Sequence, residues 1–293
     1  MGITYSSIEF LTHCNRGFNV DYSKTLTLGR QYFNPLLDLE FDIFCKKHFR
    51  YKQEELERLK SNLANPEYHM FSEPFFMFLG ADIVDSVDYS DYEDATIIHD
   101  LCTEIPVELK NKYTCVFDGG LLEHVFDFPV AFKNAMDMVA IGGHLIIETP
   151  GNNLFGHGFY QFSPELFYSS LLEENGFSNT QVFFKDEGSN KWYLVSNPRT
   201  IHSRTELSPK WKNLVLHVVS EKAHAVPDKL SVYQSDYEEE WKSKKIIEKK
   251  KISAIKSLIK VILPGKLRVY IEHRIRTRGK FNKYFSPVSL RYD

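Results

Sequence analysis

An α/β fold built on a mostly parallel, Rossmann-like sheet is what this sequence predicts, from three observations. Between Lys24 and Ser220, apolar runs of strand length alternate with helix-period segments, and closely spaced strands follow them. Residues 113–164 read as strand, polar loop, helix, Gly-Gly turn and strand, a βαβ unit with a parallel pair. The acids and glycines of interest close apolar runs, and ligands of such sheets bind beyond the carboxyl ends of the strands.

The elements follow in order. Residues 1–23 are polar and aromatic without a clear period and are expected to cap the domain. Lys24 to Leu28 reads as a strand closed by Gly29. Phe41 to Asn65 is a helical stretch rich in Lys and Glu, stopped by Asn65-Pro66. Gly29 and Asp88 are 59 residues apart, where a plain strand-helix-strand step needs about 30. Residues 41–70 are therefore expected to be a helical insertion. Glu73 to Leu79 suits a short helix, Ala81 to Val87 a strand ended by Asp88, and Ala95 to His99 a strand ended by Asp100.

Cys115-Val116-Phe117 then runs into Asp118-Gly119-Gly120. Val130, Phe132, Ala135, Met136 and Val139 give the helix period, and Leu145-Ile146-Ile147 is the second strand, followed by Glu148. Ser163-Pro164-Glu165 caps a helix that Gly176 stops. Gln181 to Phe184, Lys191 to Val195 and Leu214 to Ser220 are strands, which suggests an antiparallel edge. The domain is expected to end near residue 225, leaving 226–293 as a basic helical tail.

The 293-residue chain has a formal net charge of −3, but residues 242–283 carry 15 Lys or Arg against two acids. The tail's isoleucines and leucines approximate one helical face, interrupted by Pro264-Gly265, which suits an anionic membrane surface. Nucleic acid is disfavoured, because no aromatics interleave the lysines and the body is acidic. No apolar stretch approaches 18 residues and the N-terminus lacks signal-peptide character, so a cytoplasmic protein is expected, peripheral at the inner membrane face if the tail binds lipid. The four cysteines show no metal or disulfide spacing.

Asp88, Asp100 and Asp118 are strand-end acids in sequential order. An acid closing the second strand can accept hydrogen bonds from both hydroxyls of a ribose, and one closing the next strand from an adenine amino group. Together with Glu123-His124-Val125, Gly142-Gly143-His-Leu-Ile-Ile-Glu-Thr-Pro150, Phe162-Ser-Pro164 and Asn175-Gly176-Phe177, this order resembles the class I S-adenosylmethionine-dependent methyltransferases over roughly Lys24 to Ser220.

The resemblance implies S-adenosylmethionine as cofactor. Gly29, Arg30 and Gln31 would meet its methionine part, Asp88 with Tyr89 its ribose, Asp100 with Leu101 its adenine, and Asp118, Gly119 and Gly120 the sulfonium side. Glu123, His124, Asn152, His157, Tyr160 and Gln161 would face a small-molecule or sugar acceptor, with His124, His157 or Tyr160 as base where the acceptor is a hydroxyl. Surface polysaccharide assembly is the setting that analogy suggests. The chain departs from the family at its first motif, where Thr27-Leu28-Gly29-Arg30-Gln31 has one glycine in place of Gly-x-Gly. That departure keeps open a non-catalytic, methyltransferase-like scaffold, and also weakens a nicotinamide dehydrogenase. Asp118, Glu123, His124 and His157 carry metal-binding atoms, but no spacing matches a dedicated motif, so no metal is expected.

Overall fold

The structure is a computed structural model and describes residues 2–48, 51–186, 188–207, 213–243 and 281–290. In chain order, β1 (Gly2–Ile3) leads into α1 (Tyr5–Gly17), β2 (Lys24–Leu28) and β3 (Tyr32–Phe33). Then come α2 (Leu39–His48), α3 (Gln53–Leu63), α4 (Glu73–Phe78), β4 (Ile83–Asp88) and β5 (Ile97–Ile98). The central unit is β6 (Tyr113–Asp118), α5 (Phe128–Met138) and β7 (Val139–Asn152). It is followed by α6 (Pro164–Ser170), β8 (Phe177–Asp186), β9 (Lys191–Val195), α7 (Pro198–Ile201) and β10 (Leu214–Lys222). Last are α8 (Ser235–Ser243), α9 (Phe281–Tyr284) and β11 (Phe285–Val288).

Among the described residues, nine strands form one sheet in the order β5-β4-β2-β6-β7-β10-β8-β9-β11. The half from β5 to β7 is parallel. β10 runs antiparallel to both β7 and β8, and β8, β9 and β11 continue antiparallel. The chain leaves β2 towards β4 and β5, then returns to lay β6 and β7 on the other side. The crevice between the ends of β2 and β6 is thus a topological switch point, where such sheets bind ligands. Period-2 alternation builds a core on each face: Val116, Leu145 and Ile147 point to one, Cys115, Phe117 and Ile146 to the other.

Four expectations change. Residues 5–17 form a helix, started by a capping box between Thr4 and Ser7 and burying Ile8, Phe10 and Leu11. Each such side chain contributes about 1.5–3 kcal/mol of burial. No apolar period shows in the sequence because the buried face of this helix also carries Ser7, Glu9 and Thr12. The Lys- and Glu-rich stretch is two helices, α2 and α3, rather than one.

Gly142-Gly143 is a bulge inside β7, not a turn before it. The register with β6 slips there, Gly142 has φ +81°, and a Cβ on Gly143 would lie 2.7 Å from the Thr114 carbonyl oxygen. Finally, the chain returns to the sheet after residue 280, where β11 pairs with β9 and Tyr284 and Phe285 are buried. Residues 244–280, most of the basic segment, lie outside the described residues.

Candidate functional site

Two cavities open at the carboxyl ends of the parallel strands. The smaller, about 260 Å³, lies at the switch point and is lined by Gly29, Arg30, Gln31, Asp88, Gly120, Leu121 and His124, with Tyr32 and Glu93. The larger, about 530 Å³, lies between the start of the chain, β7 and β10; its walls include Tyr5, Ser6, Gly119, Glu148, His157, Lys185 and His217. Gly119 belongs to one cavity and Gly120 to the other, so a single peptide unit separates them.

The smaller cavity gathers five of the ten residues expected against a cofactor. Gly29 adopts φ +69°, a conformation favouring glycine, and donates its N–H to the Val87 carbonyl at 2.8 Å, joining β2 to β4 at the crevice. Asp88 is half-buried with Oδ1 on the Tyr89 N–H at 2.7 Å, and Tyr89 itself is exposed. Arg30 is already engaged: its Nε meets Glu73 Oε1 at 2.6 Å, Nη1 donates to the Glu93 carbonyl, and the guanidinium lies 4.1 Å from the Phe71 ring centre. Gln31 is buried and donates through Nε2 to the Leu28 carbonyl at 2.6 Å. A Cβ on Gly119 would come within 2.6 Å of Gln31 Oε1, so only glycine fits between that amide and the larger cavity.

Asp118 organises the loop between the cavities. Its buried Oδ1 accepts from the N–H groups of Gly120, Leu121 and Leu122 at 3.2, 2.7 and 3.4 Å. Burial, and then the carboxylate of Glu123, push its acid well above the ordinary range against the pull of those three donors.

Glu123, His124 and His157 come together at this boundary. Thr149 Oγ1 donates to Glu123 Oε2 at 3.1 Å, and His157 Nε2 lies 3.5 Å from Oε1. The two imidazole rings are 5.0 Å apart. Burial raises the Glu123 acid, and partial burial with His157 nearby holds His124 below its usual value. The loop carrying His157 is clipped to the Glu123 carbonyl, which accepts from the N–H of Phe159 at 2.8 Å and of Tyr160 at 3.3 Å.

Five expected residues stand elsewhere. Asp100 Oδ1 accepts from the Cys102 N–H, closing its own turn, and Leu101 is buried in the core, so neither lines the smaller cavity. Tyr160 donates its hydroxyl to the Phe126 carbonyl at 2.7 Å and packs beside Phe128 and Phe162, an arrangement that locks the loop. Gln161 is exposed and accepts from the Leu154 N–H. Asn152, at the end of β7 opposite Leu214, is half-buried and not in the cavity wall.

Apart from Glu148 at its strand end, sequence reasoning missed the floor of the larger cavity. Glu148 accepts from Ser7 Oγ at 2.6 Å and places Oε1 3.3 Å from His217 Nδ1. Lys185 Nζ meets Glu9 Oε2 at 2.9 Å, Trp192 Nε1 donates to the same oxygen, and Glu9 Oε1 lies 3.1 Å from His48 Nε2. The signal available was a polar triplet, Ser7, Glu9 and Thr12, inside an otherwise apolar helix. The His217 ring packs against Phe10 and Trp192, and no hydrogen bond joins its Nδ1 to Glu148 Oε1.

No protein-family model matches the chain, and no curated protein matches it. Among solved structures it is similar to an S-adenosylmethionine-dependent methyltransferase from Archaeoglobus fulgidus, at 13% identity and TM-score 0.35, over 74% of this chain and 95% of that one. Another, from Mesorhizobium loti, shows 11% identity and TM-score 0.33 over 75% and 98%. The branched-chain polyamine synthase of Thermus thermophilus shows 10% identity and TM-score 0.37 over 78% and 58%. These likenesses are too low to carry an argument; the mixed α/β, Rossmann-like fold rests on the chain's own strand order and register.

Proposed function

We propose that the chain is an S-adenosylmethionine-dependent methyltransferase, with its donor in the smaller cavity and its acceptor in the larger. The observation that carries this reading is the Gly119–Gly120 boundary, which puts two cavities back to back at the switch point of the sheet. Methyl transfer from a sulfonium is an in-line displacement, and holding donor and acceptor in line supplies roughly 7–11 kcal/mol of the barrier. In this reading Asp88 accepts from the ribose hydroxyls and the glycines admit the sulfonium side of the donor. A polyhydroxylated small molecule or sugar suits the acceptor cavity, where Lys185, Glu148 and His217 offer donors and acceptors. His217, whose Nδ1 stands 3.3 Å from the Glu148 carboxylate, takes the proton of an acceptor hydroxyl. A cytoplasmic enzyme held at an anionic membrane by residues 242–283, acting on surface polysaccharide precursors, is the setting we favour. Among the described residues no helix is long and apolar enough to cross a membrane.

Titration calorimetry with S-adenosylmethionine tests the reading. Asp88→Ala removes charged hydrogen bonds of about 1.5–3 kcal/mol each, so binding weakens roughly tenfold to more than a hundredfold. Absence of heat for the native chain at high concentration would overturn it. One observation favours a second reading, a non-catalytic scaffold: Arg30 and Gln31 are spent on internal contacts beside the donor cavity. That reading predicts no cofactor binding at all.

A further inference from the structure

Glu123, His124 and His157 offer one carboxylate oxygen and two imidazole nitrogens, all within 4.8 Å of one another. We propose that they form a binding site for a divalent first-row transition metal ion of the zinc class, placed between the two cavities.

Donor chemistry argues first. Two imidazoles and a carboxylate suit zinc, iron, cobalt or nickel, whereas magnesium and calcium prefer oxygen alone. Distances argue second. Ligands about 2.0–2.2 Å from a shared zinc ion lie roughly 3–3.5 Å apart. Glu123 Oε1 and His157 Nε2 already stand 3.5 Å apart, and a small turn of the exposed His124 ring closes the rest.

The third argument is the state of Glu123. It is fully buried, and its Oε1 faces the His157 imidazole at 3.5 Å, beyond good hydrogen-bond length, a gap that a shared cation would fill. Thr149 holds the other oxygen, the kind of supporting hydrogen bond that orients a metal-binding carboxylate. Gly158 (φ +71°) lets the His157 loop lie against the Glu123 backbone, which holds the third ligand in place. Three protein ligands leave a position for water or for an oxygen of a bound molecule. His124 lines one cavity and His157 the other, so that position is reachable from both sides.

The test uses the full chain, stripped with a chelator and titrated with Co(II) in the absence of any cofactor. The expected result is one equivalent bound, with visible ligand-field absorption that Zn(II) abolishes and Mg(II) does not. His124→Ala and His157→Ala should each weaken binding on the order of a hundredfold or more, while the remote, exposed His224→Ala leaves it unchanged. Glu123→Gln, which keeps the side-chain shape, should weaken it similarly, with circular dichroism confirming that the variant is folded. Failure of the native chain to take up stoichiometric Co(II), or uptake that survives in the His124→Ala/His157→Ala double variant, would overturn the proposal. Since no methyl donor is present, that failure is distinct from failure of the methyltransferase reading.

Discussion

Gly158 shows how much of this site depends on one backbone position. Its φ of +71° disfavours any L side chain, and a Cβ there would lie 2.8 Å from the Glu123 carbonyl oxygen that anchors the loop. Gly158→Ala is therefore expected to cost about 1–2 kcal/mol from the conformation, plus the displaced N–H contacts of Phe159 and Tyr160. Urea denaturation should show the loss, and His157 should become more reactive towards diethyl pyrocarbonate as its loop lifts. His157 and Tyr160 read in the sequence as residues facing an acceptor. That Tyr160 closes a hydrogen bond to Phe126 rather than facing a ligand was not legible. Asp118 likewise reads as a ligand-facing acid, but its carboxylate folds back on three N–H groups, because an acid before two glycines can cap its own loop.

Among the elements, α1 changes the picture most. It carries Ser7 to Glu148 and Glu9 to Lys185 and Trp192, joining the start of the chain to β7, β8 and β9. Its apolar side also buries His13 against Phe18 and Phe183, and burial lowers that imidazole from 6.5 to about 4. The folded value is the depressed one, so the unfolded chain binds the proton more readily. The packing of neutral His13 therefore stabilises fully above about pH 6.5 and is lost as pH falls towards 4. Urea midpoints measured at pH 7.5 and 5 should fall less for His13→Gln than for the native chain. An equal fall in both would place the acid sensitivity elsewhere. The βαβ unit, by contrast, was legible in its strand, helix and second strand, since their apolar positions follow periods of 2 and 3.6; only the Gly142-Gly143 bulge escaped.

Across the whole molecule, the last described strand decides where the fold ends. Phe285 is 2% exposed and meets Phe184 edge-on at 5.3 Å, although 226–293 reads as an appended tail. Phe285→Ala should lower global stability by about 3–5 kcal/mol, seen as a shift of the denaturation midpoint, whereas a tail residue would leave it unmoved. Local periodicity in the sequence was enough for the alternating α/β architecture, the strands β2, β4, β6 and β7, and the crevice beyond Gly29, Asp88 and Asp118, because each depends on neighbours a few positions apart. Pairings over long separations depended on tertiary structure: Ser7 with Glu148, Glu148 with His217, β11 with β9, and Glu123-His124 with His157. Nothing in local spacing encodes them, because the sheet and its bulges set which distant side chains meet.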